Sequence, residues 1–394
     1  MVRKSTFVSL FAGCGGFDLG FEQVGFRGLA AFDSDPEAVR VHNANLNVPS
    51  YLHDLCQDPP GHVTRTDPDV VIAGPPCQGF STVGRRNVDD ARNHLLVRAA
   101  ELAVAFRPRV FVLENVRGVA SGAHRRYWDT TQALLRRHGY QISVYECLSH
   151  WFGVPQIRRR MVLIASLGEK QLPASLPTSP ARSLKEAFHH VEKAVNHEPT
   201  WLKPCSDEFK IATHIEPYQK LSNVRAGARS VHTWQIPEVY GSTTRTEKAV
   251  LSKLIHLRRR YRTRAFGDAD PLSTAILKKE FGRDWLALVR VLHGKGYLRQ
   301  IGKAYDLAHT FNGKFRRLSW DEPSPAVDTR FGQPRYFLHP QESRGLSVRE
   351  AARIQGFPDS FIFSGSRQTQ FRLVGNAVPP PLALSIANVV RGLL

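Results

Sequence analysis

A doubly wound α/β fold with a mostly parallel sheet, joined to a smaller second domain, is predicted by three observations in this 394-residue chain. A glycine-rich turn sits between a short apolar strand and an amphipathic helix near the start. Strands and helices then alternate to about residue 165. A later stretch carries most of the charge and none of that alternation. Lys+Arg exceed Asp+Glu by 19 overall. Residues 1–120 balance at −1, 121–244 carry +6, 245–317 carry +12 and 318–394 carry +2. A basic module set into a near-neutral body points to a polyanionic partner, nucleic acid before a membrane surface.

Thr6–Leu10 reads as the first buried strand, followed by Phe11-Ala12-Gly13-Cys14-Gly15-Gly16 and a helix from Phe17 to Val24. Glycines let a backbone approach a ligand closely. The second strand, Leu29–Phe32, ends on Asp33, an acceptor suited to a ribose diol. Asp54 is a further candidate contact. The glycine spacing is not the dinucleotide fingerprint. Taken alone it fits a nucleoside-type cofactor or a structural tight turn. Further strands are expected at Val70–Ala73, Val110–Leu113 and Met161–Ala165, and helices near Arg92–Phe106 and Tyr127–His138.

The strand Val70–Ala73 runs into Gly74-Pro75-Pro76-Cys77-Gln78-Gly79-Phe80-Ser81. Strand ends in such sheets are where ligands bind. Two prolines stiffen the turn and hold Cys77 at its mouth. Strand Val110–Leu113 ends in Glu114-Asn115-Val116, so a thiol and a carboxyl group can share one sheet edge. That is a nucleophile and general-acid pair, or an inert thiol and a surface cap. Gln156 precedes Arg158 and Arg160, which alternate to one face of an extended segment and aim two guanidinium groups at one site. Five cysteines, none at metal-ligand spacing, argue against zinc or a disulfide framework and fit a reducing cytoplasm. No apolar run approaches the ~18 residues that span a bilayer.

These segments, with Arg349-Glu350-Ala351-Ala352-Arg353-Ile354-Gln355-Gly356-Phe357-Pro358 and Gly375-Asn376-Ala377-Val378-Pro379-Pro380, occur in an order that closely resembles the DNA (cytosine-5) methyltransferases. The resemblance covers about 1–165 and 319–394. It implies a Rossmann-like, S-adenosylmethionine-dependent catalytic domain over 1–185 plus 372–394, and a target-recognition domain over 186–371. It implies that the Cys77 thiolate attacks carbon 6 of a flipped cytosine while Glu114 protonates nitrogen 3. Arg158 and Arg160 would hold the base and its phosphates and depress the thiol pKa, and Asn115 and Gln156 would shape the base pocket. Phe11, Gly13, Gly15, Asp33, Ser34, Asp54, Pro75 and Asn376 would meet the cofactor. Ser34 departs from members with an adenine-stacking aromatic there. Gln78 and Ser81 would lie on a mobile loop, with Arg85, Arg86 and Arg92 toward phosphates. No metal is implied. The partners implied are double-stranded DNA and a separately acting restriction endonuclease, for a monomer.

The basic stretch has a shape of its own. Thr246 is expected to cap a helix through Arg260, Asp270-Pro271 to start a second, and Arg283-Asp284 to open a third over Trp285–His293. A hairpin follows to Leu307. Three helices and a hairpin over 245–311 resemble a winged-helix module. Its third helix would read the major groove through Arg290, the tip residue Lys303 would sit on a wing, and Arg258, Arg259 and Arg260 would touch phosphates. A module that only packs, or binds protein, is the bland reading. At the level of function, an RNA (tRNA) cytosine-5 methyltransferase and a non-catalytic DNA-binding protein are the alternatives.

Overall fold

The computed structural model describes residues 4–61, 66–76, 91–225, 227–264 and 269–394. Cys77, Gln78, Ser81, Arg85 and Arg86 lie outside the described residues. The chain divides into two compact units. The first is Met1–Glu198, Trp320–Thr329 and Ser347–Leu394; the second is Pro199–Ser319 and Arg330–Leu346. Residues 186–198, 320–329 and 347–371, which the sequence reading assigned to the recognition region, therefore pack with the first unit.

The first unit is built on seven strands: β1 (Thr6–Leu10), β2 (Arg27–Asp33), β3 (Ser50–Leu52), β4 (Val70–Ala73), β5 (Val110–Val116), β6 (Gln141–Leu148) and β7 (Arg159–Ser166). Their order is β3-β2-β1-β4-β5-β7-β6. Every pairing from β3 to β5 is parallel, and β7 runs antiparallel to both neighbours. The order reverses between β1 and β4, so the loops leaving those strands open a crevice at their carboxyl ends. The central strands are largely apolar because both faces are covered, with Thr6 and Ser9 of β1 and Glu114 and Asn115 of β5 as the polar exceptions. Val8, Leu10, Val71 and Leu113 face one helical layer with α3 (Leu95–Phe106) and α4 (Arg125–Arg137). Phe7, Ile72, Val112 and Ile164 face another with α1 (Gly16–Gln23) and the C-terminal helix Pro380–Leu393. β3 and β6 were not expected from the sequence. The first is only three residues long, and the second is an edge strand whose polar positions interrupt its apolar ones.

The N-terminal turn is held from below. Ser9 Oγ donates to Asp18 Oδ2 at 2.9 Å, and His42 Nε2 lies 3.2 Å from Asp18 Oδ1, all three side chains being buried. Gly15, at φ 94°, has no room for a side chain, since a Cβ would come within 2.3 Å of Leu46 and 2.8 Å of His42. His42 lies on α2 (Pro36–Asn45), which Asp35 caps by accepting from Glu37 N. A Cβ on Gly16 would reach within 2.3 Å of the Val378 carbonyl oxygen, so this glycine lets the C-terminal segment seat against the turn.

In the second unit, α5 (Arg245–Arg260) is followed by β8 (Leu272–Ser273), α6 (Thr274–Phe281), α7 (Trp285–Gly294), β9 (Leu298–Ile301) and β10 (Ala304–Leu307). The three strands form an antiparallel sheet in the order β8-β10-β9. Leu251, Leu254, Leu277, Val289, Leu292 and Leu298 make its core. Two starts differ from expectation. α5 is capped by Thr244, not Thr246, because Thr244 and Glu247 complete a capping box. α6 begins after Ser273, not at Asp270-Pro271, because the Asp270 carboxylate instead accepts from Thr263 N at 2.7 Å and pairs with Arg264.

Candidate active site

Phe11 leaves β1 at φ 54°, a left-handed conformation that a bulky residue adopts only under constraint. Gly13 follows at φ 58°, and a Cβ built on it would meet nothing within 4 Å. Asp33 closes this turn from β2. Its Oδ2 accepts from Gly13 N at 2.8 Å and its Oδ1 from Asp35 N at 2.9 Å. Burial pushes its pKa up, and those two amides partly offset it. Each oxygen keeps a second lone pair for a ligand hydroxyl. Ser34 beside it is exposed, and so is Asp54, which accepts from Cys56 N at 3.0 Å. The exposed Leu52 pairs in register with Asp33 and the exposed Tyr51 with Phe32, whose ring it meets at 5.8 Å, so the two neighbours point to opposite faces of the sheet. No sequence signal separated these two from an ordinary short strand.

The same crevice receives three further segments. Gly74 and Pro75 continue β4, with Gly74 N donating to Leu10 O. A Cβ on Gly74 would be 3.7 Å from Phe11 O and 3.9 Å from Val378, which places all three segments side by side. Asn115 donates from Nδ2 to Pro75 O at 3.2 Å and is buried, tying β5 to the turn that leads to Cys77. Glu114 is buried next to it. Arg160 Nε lies 2.6 Å from Glu114 Oε1, yet that oxygen has no well-directed hydrogen bond. Asn376 is exposed at the end of helix Arg367–Asn376.

Arg158 does not share a site with Arg160. It is buried and donates to the carbonyls of Val327 (3.0 Å), Gly375 (2.9 Å) and Ala377 (3.4 Å). The segment turns at Ile157–Arg158 before β7 begins, so simple alternation fails there. Gln156 is likewise internal. Its Nε2 donates to Ile354 O and to Gln355, and its Oε1 accepts from Val327 N at 3.2 Å. Gln355 in turn donates to Val374 O at 2.7 Å. Gln156, Arg158 and Gln355 thus form one buried polar network that fixes the Gly375–Ala377 backbone. A buried network of this kind is stabilising only when every member is satisfied. Arg92 is exposed on the short turn Ala91–His94.

In the second unit, Arg259, Arg260, Arg290 and Lys303 are exposed. Arg258 is not available to a partner. It is 4% exposed, and its Nε lies 2.6 Å from Asp306 Oδ1 on β10. On a helix, Arg258 falls on the same inward stripe as Leu251, Leu254 and Ile255.

A model of the C-5 cytosine-specific DNA methylase family matches residues 5–391. The type II methyltransferase M.AgeI of Thalassovita gelatinovora is 30% identical over 435 residues, covering 98% of each chain. M.DdeI of Desulfomicrobium norvegicum, also named a type II methyltransferase, is 28% identical over 402 residues, covering 97% of this chain and 87% of that one. Among solved structures, the Entamoeba histolytica methyltransferase EhMeth superposes with a TM-score of 0.57 at 12% identity, covering 99% of this chain and 98% of that one.

Proposed function

The chain belongs to the C-5 cytosine-specific DNA methylase family, and from that premise we propose how its residues share the work of methylating carbon 5 of cytosine in DNA. That it is a DNA (cytosine-5) methyltransferase follows from the family match across nearly the whole chain and from relatives at up to 30% identity. The family and fold imply use of S-adenosylmethionine. The crevice residues fit that cofactor. Gly13 leaves open space, Asp33 offers carboxylate lone pairs to a ribose diol, and Phe11 offers an apolar face. Ser34, Asp54, Gly15, Pro75 and Asn376 border it. When bound, the cofactor supplies an electrophilic methyl group.

The observation that carries the catalytic reading is Glu114. A carboxylate 7% exposed and held by Arg160 at 2.6 Å keeps lone-pair positions that a ligand group can complete. The ring edge of a flipped cytosine is such a group. In this reading the Cys77 thiolate forms a bond to carbon 6, and the electron pair of the 5,6 double bond moves into the ring. Glu114 places a proton on nitrogen 3, so negative charge does not build up. Carbon 5 then takes the methyl group. Loss of the carbon 5 proton to a base, return of the nitrogen 3 proton to Glu114 and cleavage of the carbon 6–sulfur bond restore the thiolate and the acid. Arg160 holds Glu114 in place. Asn115 anchors the turn carrying Cys77. Arg158 and Gln156 act as positioning residues through the carbonyls they bind. Flipping the base costs a few kcal/mol, recovered from contacts along the duplex.

The second unit is the target-recognition part of this proposal. Its helix–strand–helix–helix–hairpin order supports a winged-helix reading, with Arg290 on α7 toward base edges and Lys303 on the hairpin tip. A cognate restriction endonuclease, action as a monomer and a cytoplasmic location complete the reading. DNA containing 5-fluorocytosine tests the chemistry. Fluorine does not leave as the proton does, so wild type is expected to stay covalently attached and Cys77→Ala to form no adduct. No adduct with wild type, or equal adducts with both, would refute the covalent route.

A further inference from the structure

One buried polar cluster behind the crevice takes no part in the chemistry described above. Asp18, in the first turn of α1, accepts from Ser9 Oγ at 2.9 Å and lies 3.2 Å from His42 Nε2. Asp18 and His42 have no exposed surface, and Ser9 is 1% exposed. His42 Nδ1 has no hydrogen-bond partner among the described residues. The ring proton therefore sits on Nε2, where the carboxylate accepts it, and Nδ1 keeps a bare lone pair. Strand β1 and helices α1 and α2 thus meet at a single carboxylate.

Anchoring the helices does not explain the cluster, since apolar residues of similar volume often replace a buried polar pair with no loss of stability. Both helices are also tied down elsewhere. Glu22 of α1 accepts from Asn47 N and Val48 N, each at 2.9 Å. Asn43 of α2 donates to Ser50 O at 2.8 Å and accepts from Ser50 N at 2.7 Å, which binds the helix to β3. Asn45 exchanges two further bonds with the Ile362 backbone, at 2.9 and 2.6 Å. An acid in the first turn of a helix complements its dipole, which accounts for Asp18 but for neither Ser9 nor His42.

What the cluster does hold is the glycine turn. Ser9 and Asp18 stand nine positions apart and flank Phe11–Gly16, so their hydrogen bond closes the neck of the turn. His42 backs it at Gly15, where a Cβ would come within 2.8 Å of the imidazole, while the space at Gly13 is open. The helix that carries His42 is capped by Asp35, whose N–H donates to Asp33 Oδ1. One helix therefore sets both the filled side of the turn and the carboxylate on its open side. We propose that Ser9, Asp18 and His42 form a clasp that presets the Phe11–Gly16 turn for S-adenosylmethionine, with His42 a positioning residue acting through Gly15 and Asp18. The proposal rests on the cofactor reading above and extends it to residues that the sequence did not single out.

The test is calorimetric titration of the full-length protein with S-adenosylhomocysteine, well below the melting temperature. His42→Leu fills the space without a donor, and His42→Gln keeps a side-chain N–H at similar reach. Loss of a hydrogen bond to a carboxylate is expected to weaken the Kd of His42→Leu about tenfold, with His42→Gln within about threefold of wild type. The KM for S-adenosylmethionine is expected to follow the Kd, with kcat at saturation retained. Ser9→Ala removes one hydroxyl from the other side of the clasp and is expected to weaken binding several-fold; it decides the matter if His42→Leu does not fold. Nitrogen NMR of histidine-labelled protein is expected to show a neutral imidazole protonated on Nε2, missing in His42→Gln. Wild-type affinity in Ser9→Ala and in His42→Leu, with only the melting temperatures lowered, would make the cluster merely structural and overturn the clasp. A His42→Gln as weak as His42→Leu, or a proton on Nδ1, would overturn it too. A wild type that binds no S-adenosylhomocysteine would sink the cofactor reading and the clasp with it, whereas binding that no variant alters sinks the clasp alone.

Discussion

Arg160 Nε stands 2.6 Å from Glu114 Oε1, an ion pair made diagonally across the antiparallel strands β5 and β7. In that register Glu114 faces Val162 and Val116 faces Arg160, so the two side chains are diagonal neighbours on one face of the sheet. The one antiparallel strand in the sheet is therefore what brings an arginine to the carboxylate at the crevice. A parallel β7 with the same sequence would put Arg160 at the opposite end.

Glu114→Gln keeps the shape of the side chain and removes its proton. Loss of a positioned general acid costs about 10²–10⁴-fold in rate. The variant is expected to lose that much kcat in single-turnover methylation, to keep its KM for S-adenosylmethionine, and to melt within a few degrees of wild type. Retention of kcat within a few-fold would remove Glu114 from the chemistry.

Arg158→Met tests the other arginine, and its signature differs. The carbonyls of Val327 and Gly375 would lose this donor in a buried site, while Ala377 O would keep Gln355 Nε2 at 3.3 Å. An unsatisfied buried polar group costs about 1–3 kcal/mol, so the variant is expected to lose roughly 2–4 kcal/mol of stability in urea titration. Slackening of Gly375–Ala377 is expected to raise the KM for S-adenosylmethionine. A variant with unchanged stability and only a lower kcat would return Arg158 to the target base.

Elements and loop motifs were legible in the sequence because their signals are local. β1 and β4 were read to the residue, since a strand covered on both faces is a continuous apolar run ended by glycine or proline. Roles that depend on distant partners were not legible. Gln156 and Arg158 look like ligand-facing polar residues until Val327, Ile354 and Gln355, about 170 to 200 positions away, are folded against them. The run Arg258–Arg259–Arg260 reads as one charge patch. Helical geometry splits it, because 100° per residue sends Arg258 inward and its two successors out.

The split predicts opposite behaviour within that run. Arg258 and Asp306 are both about 5% exposed in their side chains, and burial pushes the Arg258 pKa down while Asp306 pulls it back up. Removing one member of a buried pair typically costs about 3–5 kcal/mol by leaving the other charge uncompensated, and here Arg299, 3.0 Å from Asp306, offsets part of that cost. Arg258→Met is expected to destabilise the protein by somewhat less, about 2–4 kcal/mol, and to leave the salt slope of DNA binding in the surviving folded fraction unchanged. Arg258→Met with Asp306→Leu is expected to recover much of the loss in a double-mutant cycle. Additive losses would mean the pair contributes nothing as a pair.

Arg372 and Asp35 give a pH-dependent prediction. Burial raises the Asp35 pKa, but the hydrogen bond and charge of Arg372 outweigh it, so the net shift is downward from 3.8. A carboxyl whose pKa is depressed in the fold contributes stability that is complete above its unfolded value. That stability is lost as pH falls through the folded value. Arg372→Gln removes the depression. The stability gap between wild type and variant is therefore expected to be constant near neutrality and to close below about pH 3.8, in thermal melts at stepped pH. The same substitution reaches the crevice. Asp35 N donates to Asp33 Oδ1, and Asp33 Oδ2 accepts from Gly13 N, so Arg372 steadies the carboxylate proposed to meet the ribose. A several-fold rise in KM for S-adenosylmethionine with kcat retained is the expected kinetic result. Parallel stability curves down to pH 3 would show that Asp35 draws its depressed pKa from its backbone bonds and not from Arg372.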